Sequence, residues 1–214
     1  MPIALDITTD LNDVADGAES VTLRRRGSTL AAAASALRRA ISTREAQASG
    51  GRYTSSDVAW HLPIAALAAA PAVGDAIGDA AGVRWTILEV QQSIVVGRWR
   101  CLARNLAVAH GLNELVRIER AVWSKDAAGA ATPTWQEEHG GLAARIQPQS
   151  AAVAIDADRM KLVLTHRVFV AEPVAVDENL RVVDADGRTY RVVGCEQPER
   201  IDALLILNVI AEPA

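Results

Sequence analysis

The sequence predicts a mainly β protein: two tandem small β-barrel-like domains, with one α-helix inserted in the first. Three observations lead there. Apolar and polar residues alternate over several short runs, with the two-residue period of strands. An Asp-Gly turn, Asp184-Ala185-Asp186-Gly187, sits between two β-branched runs, Leu180–Val183 and Tyr190–Val193. Such a turn needs a residue that accepts positive φ, and glycine does. The layout around that hairpin also occurs earlier, shifted by 105 residues: Asp79 falls on Asp184, Gly82 on Gly187 and Trp85 on Tyr190.

Residues 1–19 carry five acids and no base and read as an acidic leader. Residues 20–110 form the first expected domain. Val21-Thr22-Leu23-Arg24 opens it as a strand. Thr29 to about Ala48 is the expected helix: Ser28 can cap it, Leu30, Ala33, Ala34, Leu37 and Ile41 recur at three- and four-residue steps, and Ser49-Gly50-Gly51 ends it. Ala65–Ala70 is a second, shorter helical candidate, stopped by Pro71. Val58–Leu62, Val83–Val90 and Arg98–Ala103 read as strands. The second domain, residues 111–214, follows a junction near Ala109–Asn113. Its strands are marked by Val116, Ile118 and Val122, by Leu142, Ala144 and Ile146, and by Met160–Val170. The Asp-Gly hairpin comes next. Ala203–Ile210 closes the domain with a strand apolar on both faces. Closure into barrels is the usual way for small β domains to hide their edges.

Composition excludes several classes. Hydrophobic residues are 50% of the chain, enough for a core, and 41 of them are Ala, while aromatics are 4%. No run approaches ~18 apolar residues, so no membrane span and no membrane partner is expected. The N-terminus shows no secretory pattern. Two cysteines, Cys101 and Cys195, are too few for a disulfide framework and read as inert and buried, in a chain folded in a reducing cytosol.

No group of residues looks catalytic, and no metal or cofactor is expected. His61, His110, His139 and His166 are scattered, and His166 reads as a core or interface histidine. Asp184-x-Asp186-Gly resembles the opening of a calcium loop but lacks the other acidic positions and the distal Glu, so turn chemistry explains it. Arg24, Arg25 and Arg26 lead a basic stretch: residues 20–56 hold seven arginines against one acid, Glu45. With a net charge of −4 and Tyr53 as the one interleaved aromatic, this fits nonspecific contact with protein or DNA backbone. Lys125–Gly141, rich in Ala, Gly and Thr, reads as a long loop. Its Trp135 either folds back on its own barrel or anchors a partner, and its Glu137 and Glu138 read as solvated surface.

Val116-Arg117-Ile118-Glu119-Arg120, the loop ending Thr134-Trp135, Leu142-Ala143-Ala144-Arg145-Ile146, the Thr165-His166-Arg167-Val168 strand and Asp184-Ala185-Asp186-Gly187-Arg188-Thr189-Tyr190-Arg191-Val192-Val193-Gly194 together resemble the head–tail joining proteins of tailed bacteriophages, also called head closure or stopper proteins. The resemblance spans about residues 112–212. It implies a structural, non-enzymatic virion subunit, assembled in the host cytoplasm into a ring of six or twelve copies at the neck. The implied partners are other copies of the chain, portal or adaptor proteins, tail-terminator or tail-tube proteins, and packaged DNA held nonspecifically. Long loops would project into the channel and strand edges would pair across subunits. Another virion barrel, such as a tail-terminator, tail-tube or baseplate component, shares these features and is the alternative; an enzyme is a distant third. Family members usually resemble one such domain, and this chain carries the pattern twice.

Overall fold

A computed structural model describes residues 17–93, 97–125, 129–155, 161–177 and 179–212. The chain divides into two compact units, Met1–Ala109 and His110–Ala214. The first holds β1 (Ala18–Arg25), β2 (Ser28–Ala40), helix α1 (Thr43–Ala48), β3 (Val58–Pro63), β4 (Ala76–Gly78), β5 (Arg84–Ser93), β6 (Arg98–Arg104) and the single-turn helix α2 (Leu106–Ala109). The second holds β7 (Glu114–Lys125), β8 (Ala131–Ile155), β9 (Lys161–Val170), β10 (Leu180–Asp184), β11 (Thr189–Glu196) and β12 (Leu205–Ala211). The protein is mainly β, as its alternating runs predict.

Each unit is a closed six-stranded barrel. Around the first the order is β1-β2-β3-β6-β5-β4; around the second it is β7-β8-β9-β12-β11-β10. The two orders are the same. Inward-facing residues of alternate positions fill each barrel: Leu23, Trp60, Leu62, Ile77 and Ile87 in the first, and Ile118, Val168, Val182, Leu207 and Val209 in the second. The register also repeats a bulge. Pairing slips between Ile87 and Glu89 where β5 meets β6, and between Val192 and Gly194 where β11 meets β12. Both slips insert one extra residue, which bends and twists a strand at a barrel corner.

The two Asp-Gly turns are built alike. The Asp79 amide donates to Val83 O (3.0 Å), and the Gly82 amide to Asp79 O (3.0 Å). The Asp184 amide donates to Arg188 O (3.1 Å), and the Gly187 amide to Asp184 O (3.1 Å). Gly82 and Gly187 take φ of +80° and +83°, a region closed to most side chains. The carboxylate then accepts from the strand that follows, from the Val83 amide at 2.8 Å in one turn and the Arg188 amide at 2.8 Å in the other.

Four expectations are corrected. Residues 29–40 are strand β2, and the helix is the short α1, capped by Ser42, whose hydroxyl accepts from the Glu45 amide at 3.2 Å. Alanine favours helix by only tenths of a kcal/mol per residue, and β2 gains both of its neighbours, β1 and β3, by extending. Ser28, expected as a helix cap, ends a tight hairpin turn in which Arg26 and Gly27 both take positive φ (49° and 85°). Ala65–Ala70 yields only a 3₁₀ turn at Ile64–Ala66. Residues 131–141 of the expected loop belong to β8, paired to β7 along its length. Cys195 is exposed on β11, while Cys101 is buried.

Candidate functional site

Arg24, Arg25 and Arg26 lie at the tip of the β1–β2 hairpin. Arg25 is a strut: Nε and Nη2 grip the buried Asp75 carboxylate at 2.8 and 2.9 Å, and Nη2 also donates to Ala70 O at 3.1 Å. Arg24 and Arg26 point to solvent, and among the described residues nothing holds their side chains. The free charge at this tip is therefore two guanidiniums rather than three.

Trp135, Glu137 and Glu138 stand on β8 rather than in a loop. The Arg181 guanidinium covers the Trp135 ring at 4.2 Å, so the indole folds back onto its own barrel. Arg181 also donates to Glu119 (2.7 Å), which takes a second hydrogen bond from Arg117 (2.7 Å). Burial alone would raise the Glu119 carboxyl, but the two arginines outweigh it and hold its pKa below the ordinary value. Glu138 pairs with Arg120 at 2.8 Å, and Arg120 also holds Asp177. Glu137 stays exposed beside Gly140. Gly140 and Gly141 form the bulge opposite Arg117, with Gly141 at φ +64°.

The β7–β8 hairpin outgrows its barrel. Pairing of β7 with β10 stops at Arg120, whereas pairing with β8 runs on to Lys125 opposite Ala131. On this arm Val122 and Trp123 are 43% and 57% exposed. The Trp123 Nε1 donates to Asn179 Oδ1 at 3.2 Å, which fixes the indole with one face in water. The β8–β9 hairpin outgrows the barrel likewise, pairing Ala152–Ile155 with Leu164–Lys161 past an irregularity at Pro148. Sequence reasoning missed both arms; the length of the β8 pairing reveals them.

A cavity of about 600 Å³ opens at one end of the second barrel, lined among others by Glu114, Ile146, His166, Asp184 and Tyr190. His166 stacks edge-on against Tyr190 at 5.2 Å and its Nδ1 meets the Thr165 hydroxyl at 2.9 Å, so it belongs to the rim of this mouth. Burial, then a hydrogen bond to Asp184, raises the Tyr190 pKa above its ordinary value. In the first barrel, burial and then the nearby Asp75 push the Cys101 thiol up to about 12, which keeps it an inert core group. His61 is held below its ordinary value by burial and by Arg100, Arg98 and Arg39. Among the described residues, no three His, Cys, Asp or Glu side chains gather as metal ligands, and no helix is long and apolar enough to cross a membrane.

Residues 109–212, which contain the whole second barrel, match the family described as phage head completion protein. The match coincides with the span of the resemblance read from the sequence. That family is structural rather than enzymatic, and its match supports a structural role for the second barrel connected with the phage head. No curated protein matches the chain.

Proposed function

We propose that this chain, whose second barrel matches phage head completion proteins, is a ring-forming subunit of a tailed-phage neck that joins the filled head to the tail and helps retain DNA. The family match across the whole second barrel carries this reading. The two hairpin arms support it, because a ring subunit needs projections that reach its neighbours, and Val122 and Trp123 supply an apolar anchor on one of them. A ring repeats one heterologous contact around an axis, so two dissimilar surfaces per subunit are needed. The basic stretch of residues 20–56 and the acidic second half of the chain provide such a pair. The partners in this reading are further copies in a ring of six or twelve, portal or adaptor proteins on the head side, tail-terminator or tail-tube proteins on the tail side, and DNA in the channel without sequence preference.

The test is symmetry-resolved imaging of virions, with density for this chain expected in a ring of six or twelve between portal and tail. A phage lacking the gene should accumulate full heads and free tails. Density at the tail tip, or a trimeric arrangement, overturns the neck reading in favour of another virion barrel.

A further inference from the structure

The mouth of the first barrel already contains an arginine. Arg38 on β2 reaches over the barrel end, where its guanidinium lies 5.6 Å from the Trp60 ring centre and 5.7 Å from that of Trp85. Its Nη1 donates to the buried Asp79 carboxylate at 3.3 Å, and its Nε lies 3.8 Å from Glu19. Asp79 is held in place by the Trp85 indole at 3.0 Å. A guanidinium between two rings and two carboxylates is the pairing its flat, delocalised charge suits best.

The shared register identifies the matching positions in the second barrel. Leu23 pairs with Ile77 as Ile118 pairs with Val182, so Glu19 corresponds to Glu114. The Asp-Gly turns make Asp79 correspond to Asp184, and Trp85 to Tyr190. The Tyr190 hydroxyl donates to Asp184 at 3.0 Å, as the Trp85 indole does to Asp79. Trp60 pairs with Cys101 and Arg38; Val168 pairs with Leu207 and Ile146. The arginine position is therefore Ile146. Both carboxylates and one of the two rings are repeated, Val168 stands where Trp60 does, the guanidinium is replaced by a shorter apolar side chain, and the 600 Å³ cavity lies there, lined by Glu114, Ile146, Asp184 and Tyr190. Asp186 adds a third carboxylate to its lining, against one guanidinium, Arg188, and the rim imidazole of His166.

The geometry points to an arginine side chain from a second copy of this chain as the occupant of the second barrel's mouth, presented by the Arg24–Arg26 turn. Charge selects this occupant: the turn offers two exposed guanidiniums, Arg24 and Arg26, on a tight hairpin whose backbone is fixed by the Arg25–Asp75 pair. Glu114 and Asp184 take the places of the carboxylates that hold Arg38. The contact joins two different surfaces, so its repetition builds a ring when the rotation closes. It rests on the reading that copies of this chain meet head to tail.

The test titrates the full chain with a peptide of residues 22–29, which contains the three arginines, and follows the backbone resonances of Ile146, Ala185 and Tyr190 with the methyl resonances of Ile146 and Ala185. Saturable shifts are expected, at least tenfold weaker for the same peptide with lysines in place of arginines, and at least tenfold weaker for the Glu114→Gln/Asp186→Asn chain. Asp184 is left intact because it builds the turn. Absent shifts, or equal binding of the lysine peptide, overturn the site. Mixing an Arg26→Cys chain with a size-tagged Asp186→Cys chain, both carrying Cys195→Ser, should then give mixed disulfide dimers in excess over either homodimer; a statistical mixture, or no mixed dimer, overturns the second copy as occupant. A six- or twelvefold neck ring seen without either result leaves the neck reading standing and removes this contact. Both results in a protein absent from the neck remove the neck reading instead.

Discussion

Asp79 and Asp184 perform the same task in the two turns, and their surroundings set different costs for losing it. Asp184→Ala removes acceptors for the Arg188 amide and the Tyr190 hydroxyl, and should destabilise the second barrel by about 1–3 kcal/mol. Asp79→Ala should cost more, since it also strands the Trp85 donor and takes a partner from Arg38. Unchanged denaturant midpoints for either variant would refute the role assigned to these carboxylates. Gly187→Val forces a β-branched residue to φ +83° and should cost at least about 1–2 kcal/mol. Glu119 adds a pH dependence. Its folded pKa is below its unfolded one, so its contribution is complete above the ordinary carboxylate range and is lost as pH falls through the lowered folded value. Glu119→Gln should flatten the acid limb of the stability curve; an identical acid limb in the variant would show that the arginine pair does not act through this carboxyl.

At the scale of elements, the arms should separate docking from folding. Val122→Ser/Trp123→Ser alters exposed positions beyond the last rung shared with β10, so the unfolding midpoint should stay within about 0.5 kcal/mol of the parent, while incorporation into particles falls. Loss of both together would place these residues in the fold rather than at an interface. Strands β9, β10 and β11 were readable because their side chains alternate in polarity. Strand β2 was not: Leu30, Ala33, Leu37 and Ile41 recur at helical steps, and the alanines between them mark no strand period. What decides it is distant in sequence, namely pairing with β1 and β3 and the buried Arg98, whose Nη1 donates to the Ser35 and His61 carbonyls. Pro133 and the Gly140-Gly141 pair disguised β8 as a loop, although one lies in the arm and the other makes a bulge. The mouth of the second barrel was hidden for a related reason. Asp79 and Asp184 are 105 residues apart, but Glu19 and Glu114 are 95 apart and Arg38 and Ile146 are 108 apart, so no single shift aligns all the equivalent positions.

At the scale of the whole molecule, each unit has its own closed ring and its own core. Residues 110–214 expressed alone should therefore keep a β-type circular dichroism spectrum and unfold cooperatively. A disordered fragment would mean that the second barrel depends on the first. The two barrels share one strand order and differ at the mouth: Arg38 fills that of the first, while Ile146 leaves that of the second open.

A ring of strands has no first or last member, and this bears on the life of the subunit before it is used. Virion parts accumulate to high concentration before assembly, when an open sheet would invite its neighbours to add strands and grow into fibres. Closed twice over, this chain gives every strand of its barrels a neighbour on each side over part of its length. Among the described residues, the edges left over are short, on the two arms and where β5 runs past β4 and β11 past β10, so topology leaves little template for amyloid-like growth.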